Sequence, residues 1–327
     1  SCSRCGICVD KCQLSCDINH VLAPSVYFLN SIRASKVKAD KSFDCLICGR
    51  CREYCPVNIN TTALRIAERK NFITGSTNYN YLRQEDLRNA RVAYFSGCMT
   101  HLSPSIKKAM IHILDTSNTD YVFIDENGGA CCGRPLITIG NNNAAKELID
   151  FNRQQIIKTG AKILVTTCAI CYKVFKDDYN FSIKVMHHSE FILDLLRRGE
   201  ICVHKQNITG VYHDPCELGR GSMIYDEPRE LLRQTMKLLN TDFDKQHSLC
   251  CGGTLGNIML NYDEKKEINR KVLQRYTEHN PELLVTACPL CKKTFGLNAK
   301  IPVRDIAEVV SDALVGTKAE MITKCQQ

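Results

Sequence analysis

Cysteine occurs 21 times in 327 residues, and its spacing sorts most of these thiols into sets that can do redox chemistry. Cys2, Cys5, Cys8 and Cys12 follow a C-x2-C-x2-C-x3-C spacing, and so do Cys45, Cys48, Cys51 and Cys55. In such a run three thiolates wrap one [4Fe-4S] cluster while the fourth reaches its neighbour. The spacing therefore assigns Cys2, Cys5, Cys8 and Cys55 to one cubane cluster and Cys12, Cys45, Cys48 and Cys51 to a second. Zinc also takes four thiolates, but zinc ribbons hold separated C-x2-C pairs rather than triplets. Proline follows the last cysteine of the usual two-cluster run. Pro56 does so after Cys55, whereas Gln13 follows Cys12 and leaves Cys16 as a substitute ligand. Two neighbouring clusters would pass electrons one at a time from a donor to a deeper site.

A second pattern is stranger. GGACCGRP (128–135) and SLCCGGTL (248–255) each set two cysteines side by side. Cys98 matches Cys216, Cys131 and Cys132 match Cys250 and Cys251, and Cys168 and Cys171 match Cys288 and Cys291, at offsets of 118, 119, 119, 120 and 120 residues. Offsets this uniform mark one unit used twice. Each copy brings five thiols together, one more than a cubane needs, and adjacent cysteines diverge toward different metal atoms. Cys16, Cys202 and Cys325 stand outside the repeats and read as small buried hydrophobes.

These thiols must be positioned by regular elements. PSVYFLNSIRASKVK and TTALRIAERKNFI have helical apolar spacing, so the block over residues 1–88 reads as mainly helical. Each later copy, over residues 89–205 and 206–327, begins with an apolar run ending at its first cysteine, RVAYFSGC or TGVYHDPC. A helical segment follows (SIKKAMIHILDT; PRELLRQTMKLLN), then the paired cysteines and a polar helix (NAAKELIDFNRQQIIKTG; YDEKKEINRKVLQRYTEH). Another strand, AKILVTTC or PELLVTAC, delivers the C-x2-C pair, and a last strand and helix close the copy. Strands alternating with helices predict parallel, Rossmann-like α/β layers, with ligands at the C-terminal strand ends.

Composition narrows the class. The chain is 44% hydrophobic and 24% charged, with no run near the length of a spanning helix. Its first residues lack a basic start and apolar run, which predicts no secretory signal. Thiols in metal-ligand spacing point to a reducing compartment, hence the cytoplasm. The net charge of +8 counts no ionised thiolates, and with 7% aromatics and no long basic run it predicts no nucleic-acid partner.

The repeated Cys98-x32-Cys131-Cys132-x35-Cys168-x2-Cys171 pattern resembles the cysteine-rich CCG domain of heterodisulfide reductase catalytic subunits. With the two N-terminal cluster motifs, nearly the whole chain looks like the fused form of that family. The resemblance implies two noncubane [4Fe-4S] clusters, one held by Cys98, Cys131, Cys132, Cys168 and Cys171 and the other by Cys216, Cys250, Cys251, Cys288 and Cys291. It also implies that a disulfide substrate is split between them with electrons from two cubane clusters. Relatives of the same layout include iron-sulfur subunits of glycolate and lactate oxidation and quinone-linked membrane complexes, many with one degenerate unit. Here both units keep all five cysteines.

Charged neighbours of the ligands are candidates for tuning the clusters or holding an anionic substrate: Arg134, Arg220, His101, Lys173, Lys292 and Lys293. His213, three residues before Cys216, is the candidate proton donor to a leaving thiolate. His187 and His188 read as structural. The chain has no GxGxxG fingerprint, so its electrons are expected from a partner protein: a membrane cytochrome b, a flavoprotein or a hydrogenase module. Such a partner would hold the chain at the inner face of a membrane.

Overall fold

Two four-stranded parallel sheets carry the architecture of the computed structural model, which describes residues 2–19, 25–73, 82, 86–254, 257 and 259–315. The first contains β1 (Val92–Phe95), β2 (Tyr121–Phe123), β3 (Ile163–Thr166) and β4 (Lys184–His187) in the order β2-β1-β3-β4. The second repeats it with β5 (Thr209–His213), β6 (Lys237–Leu239), β7 (Leu283–Thr286) and β8 (Val303–Asp305), ordered β6-β5-β7-β8. Parallel strands are covered on both faces and so read as unbroken apolar runs. VAYF and LLVT are buried at all four positions.

The N-terminal block is helical among its described residues: α1 (Ile7–Asp10), α2 (Gln13–Ile18), α3 (Ser25–Arg33), α4 (Ala39–Phe43), α5 (Arg50–Glu53) and α6 (Thr61–Arg69). In the first copy follow α7 (Cys98–His101), α8 (Pro104–Thr116), α9 (Arg134–Ile139), α10 (Asn142–Lys158), α11 (Ala169–Asp177) and α12 (His188–Arg197). The second has α13 (Gly219–Ser222), α14 (Asp226–Thr235), α15 (Tyr262–Thr277), α16 (Pro289–Gly296) and α17 (Ile306–Ala313).

Local chemistry explains these boundaries. Pro104 opens α8, whose Ile106, Ala109, Met110, Ile113 and Leu114 form one buried stripe. Asn261 and Glu264 exchange side-chain and backbone hydrogen bonds at the start of α15, each 2.9 Å long. Helices α8 and α17 pack together, as do α12 and α14, so the two copies share one continuous core.

Three details depart from the sequence reading. Strands β2 and β6, three residues each, are not anticipated by it. The segment PRELLRQTMKLLN is not helical throughout: Met236 is extended, with φ −157°, and the last residues form β6 beside β5. Cys16 is exposed, not buried, and its thiol donates to the Asp10 carbonyl at 3.0 Å. Cys325 lies outside the described residues.

Candidate iron-sulfur site

In each sheet the strand order reverses between two neighbouring strands, since β1 connects outward to β2 and β3 in the opposite direction to β4, as β5 does to β6 and β7 to β8. Such a switch point opens a crevice at the C-terminal strand ends. Phe95 pairs with Thr166 and His213 with Thr286 at that edge. Cys98 and Cys168 follow the first pair within three residues, and Cys216 and Cys288 follow the second.

Glycine makes the close approach possible. Gly97, at φ +82°, precedes Cys98, and a Cβ there would stand 2.8 Å from Cys171 Sγ. The glycines after the paired cysteines, Gly133 and Gly252, have φ of +92° and +87°, a conformation that glycine adopts without strain.

The five thiols of each copy form a connected set. Cys98 lies beside Cys131, Cys132 beside Cys131 and Cys171, and Cys171 beside Cys168, each close enough to shift its neighbour's hold on its proton. In the second copy Cys250 links Cys216 with Cys251, and Cys291 links Cys251 with Cys288. The two sets meet where Cys168 contacts Cys288. Sharing protons, these sulfurs oppose one another. Cys131 is held low by the Cys132 and Cys98 thiols, and Cys98 is pushed up by Cys131 and by burial. Cys251 is held low by Cys250 and Cys291. Buried anionic sulfur of this density fits a cationic iron core. Among the described residues no three His, Cys, Asp or Glu side chains converge on a single-ion position.

The N-terminal motifs share one backbone device. Arg4 and Ile47, each just before the second cysteine of its run, have φ of +58° and +53°, and Gly6 and Gly49, each just after it, have +85° and +73°. This shape aims the Arg4 N–H at Cys2 Sγ (3.4 Å) and the Ile47 N–H at Cys45 Sγ (3.3 Å). A branched residue such as Ile47 adopts it only under constraint. Cys2, Cys5, Cys8 and Cys55 border one cavity of about 30 Å³, which Cys51 also touches. Cys12 is half-buried and pushed up by desolvation and by the nearby Cys45 and Cys48 sulfurs, so it sits with the second motif.

The flanking residues divide sharply. Arg134 lines a cavity of about 50 Å³ bordered by Cys216, Cys250, Cys251, Cys288 and Cys291, and its Nη2 donates to Glu217 at 2.7 Å. An outer cleft of about 230 Å³, with Arg52, Lys173 and Arg220 on its walls, also meets Arg134 and Glu217. Arg220 is buried and donates to the carbonyls of Cys48 (2.8 Å) and Ser248 (2.7 Å), leaving Nη2 without a partner. Burial disfavours its charge, but the Cys48, Cys216 and Cys250 sulfurs outweigh that and raise it. An orphan guanidinium N–H among thiolates fits an anionic cluster beside it.

His213, the candidate proton donor, stands behind the sulfur cavity. It is fully buried, away from the cavity lining, with ring nitrogens at Thr286 Oγ1 (3.2 Å) and the Leu249 carbonyl (3.0 Å). Burial lowers it to about 4, so near neutral pH its ring is uncharged and braces the segment behind Cys250. Lys173 binds Asp177 and the Gly221 carbonyl, Lys292 binds Glu308, and His101 meets Ser96 Oγ at 3.0 Å.

His187 and His188 join the copies. His187 Nε2 reaches the Ala287 carbonyl at 3.1 Å, and His188 Nε2 reaches Asp305 Oδ1 at 3.0 Å, with both side chains of the latter pair fully buried. His187 and Asp305 hold equivalent places, opposite Thr166 and Thr286, and each caps the following helix.

The sequence reading misses Gln13, Arg50, Glu217 and Ser248 as functional residues. Gln13 alone carries a signal, standing where proline is expected.

Residues 92–176 and 210–296 match the cysteine-rich domain family CCG, and residues 1–60 match a 4Fe-4S dicluster domain. The chain is similar to one of the subunits of the dihydromethanophenazine:CoB–CoM heterodisulfide reductase of Methanosarcina barkeri, 27% identical over 321 residues, covering 84% of this chain and 78% of that protein. One of the subunits of the fumarate reductase (CoM/CoB) of Methanothermobacter marburgensis is 25% identical, with coverage of 89% and 66%. EtfAB:quinone oxidoreductase of Syntrophomonas wolfei is 23% identical, with coverage of 85% and 47%. A hypothetical protein from Helicobacter pylori has a similar fold, with a TM-score of 0.56 at 10% identity over 92% of this chain and 70% of that one.

Proposed function

The chain belongs to the cysteine-rich CCG domain family, and from that premise we propose that it reduces a mixed disulfide of the coenzyme M–coenzyme B type to two thiols. The coarser role, iron-sulfur electron transfer within an oxidoreductase, is common to its relatives. One observation carries the finer reading: both five-thiol sets are complete and touch at Cys168 and Cys288. A site needing two sulfur-accepting centres side by side would be built this way.

On this reading Cys2, Cys5, Cys8 and Cys55 hold one cubane and Cys12, Cys45, Cys48 and Cys51 the other. The two five-thiol sets hold noncubane clusters. When bound, the clusters supply one-electron chemistry and iron positions able to take sulfur. Overall the disulfide gains two electrons and two protons, its S–S bond breaks, and two thiols leave. The protein binds and orients. Arg134 is the cation at the sulfur cavity, placed to take an acidic end of the substrate in exchange for Glu217. Arg220 offsets negative charge between Cys48, Cys216 and Cys250. Electrons come from a partner protein, and the reaction belongs in a reducing compartment. Among the described residues no helix is long and apolar enough to cross a membrane, so a membrane-bound donor would come from that partner.

A second reading, electron transfer to or from quinone as in a glycolate or lactate dehydrogenase complex, is favoured by the likeness to EtfAB:quinone oxidoreductase. Both are tested on anaerobic protein with a reduced viologen dye. Dye oxidation by the coenzyme M–coenzyme B disulfide supports the first reading. Oxidation by a quinone alone replaces it with the second.

A further inference from the structure

Gln13 links the two halves of the redox machinery. Its side chain is 4% exposed and pairs with the main chain of Cys250. The Cys250 N–H donates to Gln13 Oε1 at 2.6 Å, and Gln13 Nε2 donates to the Cys250 carbonyl at 3.2 Å. The amide thus gives Cys250 the double hydrogen bond that a paired strand residue would give. In the first copy the Cys131 carbonyl instead takes Asn152 Nδ2 from its own unit, at 2.7 Å.

Other contacts from the N-terminal block gather on the same segment. Arg50 Nη1 donates to the Ser248 carbonyl at 2.9 Å, where Arg220 also arrives from its bond to Cys48. Tyr54 Oη meets His247 Nδ1 at 2.5 Å, and Asp17, four residues beyond Gln13, pairs with Arg275 at 2.9 Å. Against the first copy, Arg69 donates to the Thr138 carbonyl at 2.6 Å, six residues past Cys132.

We infer that Gln13 is a positioning residue that couples the Cys12, Cys45, Cys48, Cys51 set to the second copy, so that electrons enter the second copy before the first. This rests on the iron-sulfur reading above. One electron leaves the centre at the Cys12 set and one arrives at the Cys250 set, with no bond made or broken. The covalent step from Cys12 to Gln13 and the hydrogen bonds to Cys250 form the connection. Arg220, between Cys48 and Cys250, offsets the transferred charge, and the Cys168–Cys288 contact carries the electron onward.

The test uses full-length protein reduced anaerobically by dithionite and freeze-quenched for EPR. Signals of the two copies are assigned with Cys98→Ser and Cys216→Ser proteins. The second-copy signal is expected first. In Gln13→Ala its appearance should slow roughly tenfold at unchanged iron content, as loss of an outer hydrogen-bond partner commonly costs. Gln13→Glu can still accept from the Cys250 N–H and should fall between. Asn152→Ala should leave the filling of the second copy unaltered. A first-copy signal that leads, or an unaltered rate in both Gln13 variants, overturns the inference. An iron content of about eight per chain rather than about sixteen would instead remove the cluster reading on which it rests.

Discussion

The Cys168 and Cys288 sulfurs lie close enough to bias each other's protonation although 120 residues separate them, and each is the first cysteine of a C-x2-C pair and the cap residue at the start of a helix. The duplicated unit therefore meets its copy at the sulfurs themselves.

Loss of either thiol should disable disulfide cleavage while sparing the N-terminal clusters. For Cys168→Ser or Cys288→Ser, turnover with the mixed disulfide is expected to fall by at least about a hundredfold, because each thiol is read as a ligand and loss of a mere hydrogen-bond partner of a ligand already costs up to that much. Cubane EPR signals should persist. Near-normal disulfide turnover in either variant would contradict a reaction shared between two sets.

Gly97 tolerates no side chain. Alanine there would press on Cys171 Sγ and strain the backbone at φ +82°, at about 1–3 kcal/mol. Gly129, with nothing within 4 Å of an added Cβ, is the control. Anaerobic denaturant titrations should separate Gly97→Ala from Gly129→Ala, and equal midpoints would refute the packing account.

His213 should make stability acid-sensitive. Its folded value near 4 lies below the ordinary 6.5, so between these the unfolded chain binds the extra proton. Stability attributable to it is present above about pH 6.5 and declines as pH falls toward 4, by roughly 3 kcal/mol in all. The pH dependence of unfolding in His213→Gln should be shallower than in the unaltered protein. A matching slope would mean that His213 does not titrate as its burial implies.

Arg134 and Glu217 should act oppositely on substrate. Arg134→Ala is expected to raise KM for an acidic disulfide about tenfold, the scale of one charge-assisted contact, with iron content unchanged. Glu217→Gln frees the guanidinium and should lower KM. Parallel changes in the two variants would assign the pair a purely structural part.

Much of this is legible in the sequence because cysteine spacing is a strict code. Metal ligation restricts which residues serve and how far apart they lie, and the uniform offsets between copies expose the duplication. The parallel sheets follow from apolar runs such as VAYF and ILVT. Strands β2 and β6 escape because three residues give no periodicity, and MKLLN carries an apolar spacing that either helix or strand can use. The roles of His213 and Gln13 depend on long-range packing. Sequence places His213 beside a ligand, but only the fold shows Thr286 and Leu249 enclosing it. The partner of Gln13 lies 237 residues away, beyond any local pattern.

The His188–Asp305 pair makes the two halves complementary rather than interchangeable. Were two first halves to associate, His188 would face His187 of its twin, whereas two second halves would set Ile306 against a buried, unanswered Asp305. Either homotypic assembly buries a polar group without its counterpart, at a cost of several kcal/mol for a lone charge. Self-pairing of either half is thereby disfavoured at this seam, and intramolecular association of unlike halves is the arrangement it selects.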